Sequence, residues 1–274
     1  MHFLLSGNYL TAAFASTSRG STSYAAIRPK QFLAACIPLP PLDKQRRIVA
    51  RIEALAGKIE AARALQSGIN VDLAAMLNSA FNRLLTGAQR IKLGKIAPLV
   101  RRPIAVEPGR TYAELGVRSF GRGLFDKPIL AGDNLTWQKL FQIQEGDLVF
   151  SNIKAWEGAF AVARQQHGGM VGSHRYLTCV TDTRQASADF IWFYLQSPEG
   201  LLKIQEASPG SADRNRTLSQ NGLEAVTIPL PSLDAQHWFE HLQRKVESIR
   251  AVQTPAELDA LLPSVLERAF RGGL

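Results

Sequence analysis

The chain has 274 residues, of which 46% are hydrophobic and 20% are charged, and its formal net charge is +9. This length fits one large domain or two ordinary ones, and the apolar fraction excludes a wholly disordered chain. No apolar run approaches the ~18 residues of a membrane span, and the first residues do not resemble a signal peptide. Only Cys36 and Cys179 occur, which excludes a disulfide scaffold and fits a reducing cytoplasm. The basic charge points to a polyanion, most simply nucleic acid.

An internal repeat organises the chain. Residues 37–45 are IPLPPLDKQ and residues 228–236 are IPLPSLDAQ, so seven of nine positions agree at an offset of 191 residues. Each copy runs into a long segment with apolar residues at heptad spacing, which closes on an Ala-Phe pair at 80–81 or 269–270. The repeat predicts two copies of one structural unit, with a segment between them that occurs once.

Each copy predicts a long helical arm that begins after its proline-rich stretch. Proline fixes φ and disfavours helix in the residue before it, so we expect the helices to begin at residues 42–43 and 233–234. The Asp of each pair suits an N-cap or the first turn. Residues 66–68 and 254–257 interrupt the heptad seams, which predicts two helices per arm joined by a kink or short turn. We expect the arms to pack against each other in antiparallel orientation; the alternative is that each folds back on its own domain.

The segment between the arms has a different composition. Short β-rich runs at residues 147–150, 159–162 and 176–180 are separated by glycine-containing turns. Helices are predicted over residues 188–195 and 200–206. The predicted fold class is therefore α+β, with a curved, mostly antiparallel sheet and two long helical arms packed as an antiparallel coiled-coil-like pair.

The excess positive charge avoids the second arm. Residues 1–36, 37–89 and 90–228 carry net charges of +3, +3 and +4, whereas residues 229–274 carry −1. In the central segment 11 of the 17 basic residues are Arg, which suits bidentate contacts with guanine and phosphate, and they concentrate in Gly-containing stretches. We expect Arg214→Ala and Arg216→Ala to weaken DNA binding without unfolding the protein. Residue type and loop placement select the candidate DNA-binding residues Asn152, Lys154, Arg175, Arg214, Asn215 and Arg216.

One enzyme motif is present on the second arm. Residues 237–241 are HWFEH, which matches the H-x-x-E-H pattern of inverted zinc-protease helices through His237, Glu240 and His241. The first copy of the repeat has no such residues, and the 33 residues that follow leave little from which to build a third ligand and a cleft. P-loop, dinucleotide-binding and nucleophile-elbow motifs are absent. The sequence favours a binding module without catalytic or metal-binding residues, and a zinc hydrolase stays as the disfavoured alternative.

The IPLPxLxxQ sequence before a long helix, repeated after a variable α+β domain, resembles the specificity subunit of type I restriction–modification systems. The run from Gly146 to Phe160 is similar to a recurrent stretch of that family's target-recognition domains. The resemblance implies a complete target-recognition domain at residues 90–228 and conserved helical arms at residues 37–89 and 229–274. It implies a non-catalytic chain whose partners are double-stranded DNA, methyltransferase subunits and, through them, the restriction subunit. No cofactor is expected in this chain, and S-adenosylmethionine, ATP and Mg²⁺ are expected on the partner subunits.

The chain departs from this family at its beginning. Residues 1–36 match only the tail of a first target-recognition domain, so the chain is interpreted as N-terminally incomplete. Either it is truncated, or it is a half-size subunit that works in pairs, in which case a homodimer restores a two-part reader. We expect a cytoplasmic protein without a membrane partner. The alternative function is a helical-arm scaffold or oligomerisation protein without specific DNA reading.

Overall fold

The structure, a computed structural model, describes residues 29–33, 40–135, 139–210, 216–252 and 255–270. The chain folds into two compact units. The first comprises the described residues up to Met76 together with those from Lys245 onward, and the second is Leu77–Arg244. In these ranges no helix combines the length and apolar character that crossing a bilayer requires. Of the predicted remnant at residues 1–36, only a short helix over Pro29–Leu33 lies within the described residues. The four segment boundaries of the sequence analysis stay predictions.

The helices begin and end as follows. They are α1 (Pro29–Leu33), α2 (Leu42–Leu85), α3 (Leu93–Ile96), α4 (Ala188–Gln196), α5 (Pro198–Glu206), α6 (Gln220–Ala225), α7 (Leu233–Val252) and α8 (Pro255–Phe270). The two long arms thus begin at Leu42 and Leu233 as predicted, and each has its Asp in the first turn. The predicted central helices appear as α4 and α5.

Helix α2 is continuous through residues 66–68, so the short turn, one of the two forms predicted for the interruption of arm 1, is absent. Gln and Ser are tolerated inside a helix, and the single Gly68 costs only about 1 kcal/mol relative to Ala, which does not end a helix. The 44 residues of α2 are about 66 Å long at 1.5 Å per residue. Arm 2 is described as two helices, α7 and α8, and residues 253–254 between them lie outside the described residues; Pro255 stands at the first position of α8, where its missing N–H is tolerated.

In the first unit, α2 packs against α8 in antiparallel orientation, as predicted. Ile52 and Leu266 are buried together with Ala269. Farther along, Arg63 Nη2 donates to Asp259 Oδ1 at 2.7 Å. Residue numbers rise along α2 while they fall along α8, so the helices run in opposite directions. The partly buried side chains around this core are Ile48, Leu262 and Val265.

The second unit, Leu77–Arg244, has mixed α+β structure built on short ladders. Its strands are β1 (Gln89–Lys92), β2 (Pro103–Ile104), β3 (Thr111–Tyr112), β4 (Leu115–Val117), β5 (Leu124–Asp126), β6 (Leu130–Ala131), β7 (Leu140–Gln142), β8 (Leu148–Ser151), β9 (Phe160–Val162), β10 (Val171–Ser173), β11 (Tyr176–Cys179) and β12 (Thr227–Leu230). They form sheets β10–β7–β2 and β11–β8–β9 and the pairs β1–β12, β3–β6 and β4–β5. Every ladder between these strands is antiparallel, as predicted, but the strands are divided among several small sheets.

The sheet β11–β8–β9 forms the centre of this unit and positions the candidate site. All four residues of β8 are buried, so both faces of this central strand are covered. Ser151 pairs with Tyr176 and Leu148 with Cys179, so the end of β8 and the beginning of β11 lie at one edge of the sheet. These strands are the three that the sequence predicted from the runs at 147–150, 159–162 and 176–180.

The final Gln of the repeated nonapeptide has the same role in both copies. Gln236 is buried, and its Nε2 donates to the carbonyl of Pro231 at 2.9 Å. In the first copy, Gln45 Nε2 donates to the carbonyl of Pro40 at 2.6 Å. The side chain thereby satisfies a carbonyl that precedes the first helical turn, which explains the fixed spacing of Pro and Gln in the repeat.

An aromatic cluster anchors the beginning of α7 within the second unit. Phe239 is fully buried, and its ring centroid lies 5.0 Å from that of Phe81 at the end of α2 and 4.9 Å from that of Phe193. Phe190 completes the cluster, 5.3 Å from Phe81. The beginning of arm 2 therefore packs on the end of arm 1, just as the beginning of arm 1 packs on the end of arm 2 in the first unit.

Candidate nucleic-acid interface

Loops from distant parts of the chain meet where β8 ends. The backbone N–H of Asn152, the residue after β8, donates to the carbonyl of Arg175 at 2.8 Å. The carbonyl of Asn152 accepts from the N–H of Leu218 at 2.7 Å. The turn before β11 and the segment before α6 are thus both fixed to the same residue.

The loop between β4 and β5 is fixed to the 3₁₀ turn Ala155–Glu157 that follows β8. Phe120 N–H donates to the carbonyl of Glu157 at 2.8 Å, and Ser119 Oγ donates to Glu157 Oε2 at 2.8 Å. Gly121 N–H donates to the carbonyl of Gly158 at 3.1 Å. Gly121 has φ +64°, the left-handed region that favours glycine, and a Cβ there would also displace the end of the Gln196 side chain, 2.7 Å away.

Two cations lie near the Trp156 ring. Lys154 Nζ and Arg216 Cζ are each 5.4 Å from the centroid of this ring, within the range of a cation–π interaction. Trp156 is itself held in place, because its Nε1 donates to the carbonyl of Ile153 at 3.2 Å and its carbonyl accepts from Gln205 Nε2 at 3.2 Å. The ring joins cations that are 62 residues apart in the chain.

Further cations line the neighbouring loop. Arg122 Cζ lies 5.9 Å from the centroid of Phe120, and Arg118 Cζ lies 5.0 Å from that of Phe125. Arg175 is exposed in the adjacent turn. We name these residues the basic–aromatic surface; it consists of Arg118, Phe120, Arg122, Lys154, Trp156, Arg175 and Arg216.

Glu157 introduces a negative charge beside this surface. Its Oε1 is 2.7 Å from Lys154 Nζ. The hydrogen bond from Lys154 holds the pKa of Glu157 below its ordinary value, with a further contribution from Ser119, against the opposing effect of desolvation. Glu157 therefore stays ionised, neutralises part of the charge of Lys154 and holds the loop of Ser119 at the same time.

The structure brings together four of the six candidate residues from the sequence analysis. Asn152, Lys154, Arg175 and Arg216 belong to the loops that meet beside β8 and β11. The Oδ1 atom of Asn152 is buried and has no hydrogen-bond partner within the described residues, so the visible role of Asn152 is to join the loops through its backbone. Arg214 and Asn215 lie outside the described residues. DNA contact by all six residues stays a prediction.

Other arginines from Gly-containing or neighbouring stretches are engaged in internal contacts. Arg102 forms a bidentate pair with buried Asp147, at 2.6 and 3.1 Å. Arg101 donates to the carbonyls of Tyr176 and His174 at 2.8 and 3.4 Å and so holds the turn before β11. Burial lowers the pKa of Arg101. Arg101 also lies over the Phe141 ring, with its Cζ 4.6 Å from the centroid. Residue type alone did not separate these arginines, which hold the fold together, from those of the basic–aromatic surface.

Sequence reasoning missed Phe120 as a candidate site residue. Its environment, Arg118-Ser-Phe-Gly-Arg-Gly123, places an aromatic side chain among two arginines and two glycines. That combination was the available signal, because a loop rich in Gly and Arg seldom carries a large apolar residue without a contact to satisfy it. Trp156 was noted only within the stretch that resembles target-recognition domains.

Among the HWFEH residues of α7, Glu240 has a structural role. Glu240 accepts a hydrogen bond from the hydroxyl of Ser187, the N-cap of α4. Within the described ranges, no group of three or more His, Cys, Asp or Glu side chains is placed to hold a metal ion. The zinc-hydrolase alternative gains no support from this arrangement.

No protein-family model matches the sequence, and no curated protein matches it. Solved structures do. The chain is similar to a structure concerned with complex assembly and conformational transition of the type I R-M system, at 23% identity and a TM-score of 0.71, covering 99% of this chain and 70% of that one. It is also similar to the HsdS subunit from Thermoanaerobacter tengcongensis, at 23% identity and a TM-score of 0.61, covering 99% of this chain and 69% of that one. The chain therefore has the fold of type I restriction–modification specificity subunits.

Proposed function

We propose that this chain is the DNA sequence-specificity subunit of a type I restriction–modification complex and is not itself catalytic. Residues 90–228 read one half-site of the target. The observation that carries the proposal is the basic–aromatic surface, where separate loops bring exposed cations and aromatic rings to one edge of a buried sheet. Cations at such a surface bind phosphates, and Arg also reads guanine in the major groove. The similarity in fold to HsdS supports the same function.

The helical arms at residues 37–89 and 229–274 dock methyltransferase subunits in this proposal, and these in turn bind the restriction subunit. Leu65, Ile69 and Met76 are large apolar side chains on one face of α2 that are exposed in the chain alone, as expected for a surface that a partner covers. S-adenosylmethionine, ATP and Mg²⁺ belong to the partner subunits.

The test is selection of duplex DNA from a random-sequence pool by the purified chain, alone and combined with a candidate methyltransferase subunit. We expect enrichment of one sequence motif and an affinity that falls linearly with salt concentration on a logarithmic plot. Failure to enrich any motif in either form would overturn sequence recognition and leave the helical-arm scaffold as the function.

A second measurement tests the role of the arms. Light scattering gives the mass of the chain alone and in the mixture with the methyltransferase subunit. A complex of defined mass supports docking, and a mass that equals that of the unmixed proteins contradicts it. The mass of the chain alone also distinguishes a monomer from the homodimer that a half-size subunit would form.

A further inference from the structure

Neither the backbone conformation of Phe120 nor its exposed side chain contributes to folding stability. Its φ is +62°, the left-handed region that every residue except glycine adopts at a cost, and it is the only non-glycine with positive φ in the described part of the chain. Its side chain is 72% exposed, although Phe is among the residues most often buried. Backbone strain of this kind, held in place by its surroundings, is typical of functional sites.

The surroundings hold Phe120 firmly. Its own N–H and the N–H of Gly121 donate to consecutive carbonyls, those of Glu157 and Gly158, at 2.8 and 3.1 Å. Ser119 Oγ fixes the preceding residue to the Glu157 carboxylate. The loop is therefore ordered before any ligand binds, so that binding does not have to meet the entropic cost of ordering it.

The ring also stands among groups that suit a nucleic acid. Arg122 lies 5.9 Å from its centroid. The carboxylate that holds Ser119 is the one that pairs with Lys154, which in turn lies over Trp156. An exposed apolar ring thus has one arginine beside it and stands on a loop that is fixed to the turn carrying Lys154, which suits a side chain that wedges into stacked bases while neighbouring cations bind phosphates.

We propose that Phe120 inserts its ring at a base step of the bound duplex and unstacks it. This inference rests on the proposed function of the basic–aromatic surface. The cations hold the two phosphate backbones, and the ring replaces the lost stacking on one base. Because base steps differ in the cost of unstacking, Phe120 is a specificity-determining residue at that step.

The first test uses the full chain and duplexes of the selected motif with 2-aminopurine placed at each position in turn. We expect the wild type to raise the fluorescence at one step and Phe120→Ala to abolish that rise. Phe120→Ala lowers the affinity for the motif about tenfold, since one stacking contact is lost. The salt dependence stays unchanged, because no charge is removed. The matched control is Ile129→Ala, which removes another exposed apolar side chain, at 70% exposure, from the same unit.

A second variant separates a functional role from a structural one. Phe120→Gly removes the ring and relieves the positive φ at the same time. We expect its melting temperature to equal or exceed that of the wild type while its affinity for the motif falls as in Phe120→Ala. A residue that only supported the fold would lower both quantities together.

The outcomes distinguish the two proposals. If the wild type binds no duplex, the proposed function and this inference both fail. If the wild type selects and binds its motif but no position changes in fluorescence, and Phe120→Ala binds equally well, the wedge is overturned and the proposed function stands. If Phe120→Ala weakens only the association with a methyltransferase subunit, the ring contacts protein and the wedge is likewise overturned.

Discussion

The guanidinium carbon of Arg216 lies 5.4 Å from the centroid of the Trp156 ring. An aromatic face positions a cation without neutralising it, whereas the carboxylates that pair with Arg102 and Arg184 cancel their charge. Gln205 also fixes the loop of Trp156, because its Nε2 donates to the Trp156 carbonyl. Arg216, which forms no ion pair with any of the described residues, therefore keeps its charge at a defined place on the surface.

Arg216→Ala is expected to weaken binding to all duplexes and to reduce the slope of log affinity against log salt concentration by about one. The melting temperature should stay close to that of the wild type, since no buried contact is lost. Binding titrations at several salt concentrations measure both quantities. The control is Arg184→Ala, which removes an 87% exposed charge that lies beyond the other end of β11. Equal effects of the two variants would show that only net charge matters.

Glu157→Gln should have opposite effects on two kinds of binding. Removing the counter-charge of Lys154 raises the affinity for random duplex, while loss of the carboxylate that holds Ser119 loosens the loop and lowers the preference for the selected motif. Titrations of both duplexes at one salt concentration give the ratio of the affinity for the selected motif to the affinity for random duplex. Glu145→Gln is the matched control, because Glu145 is an exposed acid at the opposite end of β8. A variant with an unchanged ratio of affinities would contradict a role of Glu157 in positioning the loop.

The Glu157 carboxylate should also make the free energy of unfolding depend on pH. Because the hydrogen bond from Lys154 lowers the pKa of Glu157 below 4.5, the contact stabilises the fold above about pH 4.5 and is lost as pH falls through the lowered value. The difference in free energy of unfolding between the wild type and Glu157→Gln should therefore shrink as pH falls from about 6 to about 3. Denaturant titrations at a series of pH values measure it, and a difference that grows on acidification would refute the assignment.

We expect the buried thiol of Cys179 to lower the free energy of unfolding at alkaline pH. Burial raises the pKa of its thiol from 9.0 to about 12, so between these values the unfolded chain releases a proton that the folded chain retains. The free energy of unfolding then falls with rising pH, by at most about 1.4 kcal/mol per pH unit for this group. Denaturant titrations should show a shallower fall for Cys179→Ala. Tyr194, whose pKa burial also raises to about 12, contributes in the same direction in both proteins.

The arms owe their pairing to apolar burial more than to charge. Leu266 is 2% exposed in the core shared by α2 and α8, so Leu266→Ala should lower the free energy of unfolding by about 2–4 kcal/mol. Leu261→Ala, which truncates a 46% exposed leucine of the same helix, should have a much smaller effect. Asp259→Ala breaks the exposed pair with Arg63 and should also change stability far less than Leu266→Ala. Denaturant titrations rank the three variants, and a loss in Asp259→Ala equal to that in Leu266→Ala would reverse this view.

Features that depend on neighbouring residues could be predicted from the order of amino acids alone. Proline, heptad spacing and the repeated nonapeptide placed the beginnings of α2 and α7 and the antiparallel arms. Alternating β-rich runs and turns placed β8, β9 and β11 and the α+β class. These patterns are legible because the conformational preferences of proline and of amphipathic periodicity act over a few residues.

Only the tertiary structure decided which side chains meet. Residues 66–68 were expected to divide arm 1 by a kink or short turn, but the small local cost of Gly68 left α2 continuous. Arg102 and Arg216 are the same residue type, and the sequence does not distinguish their roles. Arg102 is paired with buried Asp147, whereas Arg216 lies on the Trp156 ring. The positive φ of Phe120 depends on hydrogen bonds to residues 37 and 38 positions away, which no local pattern contains. The candidate site is a product of long-range contacts, and for that reason its residues could be nominated from the sequence but not assembled from it.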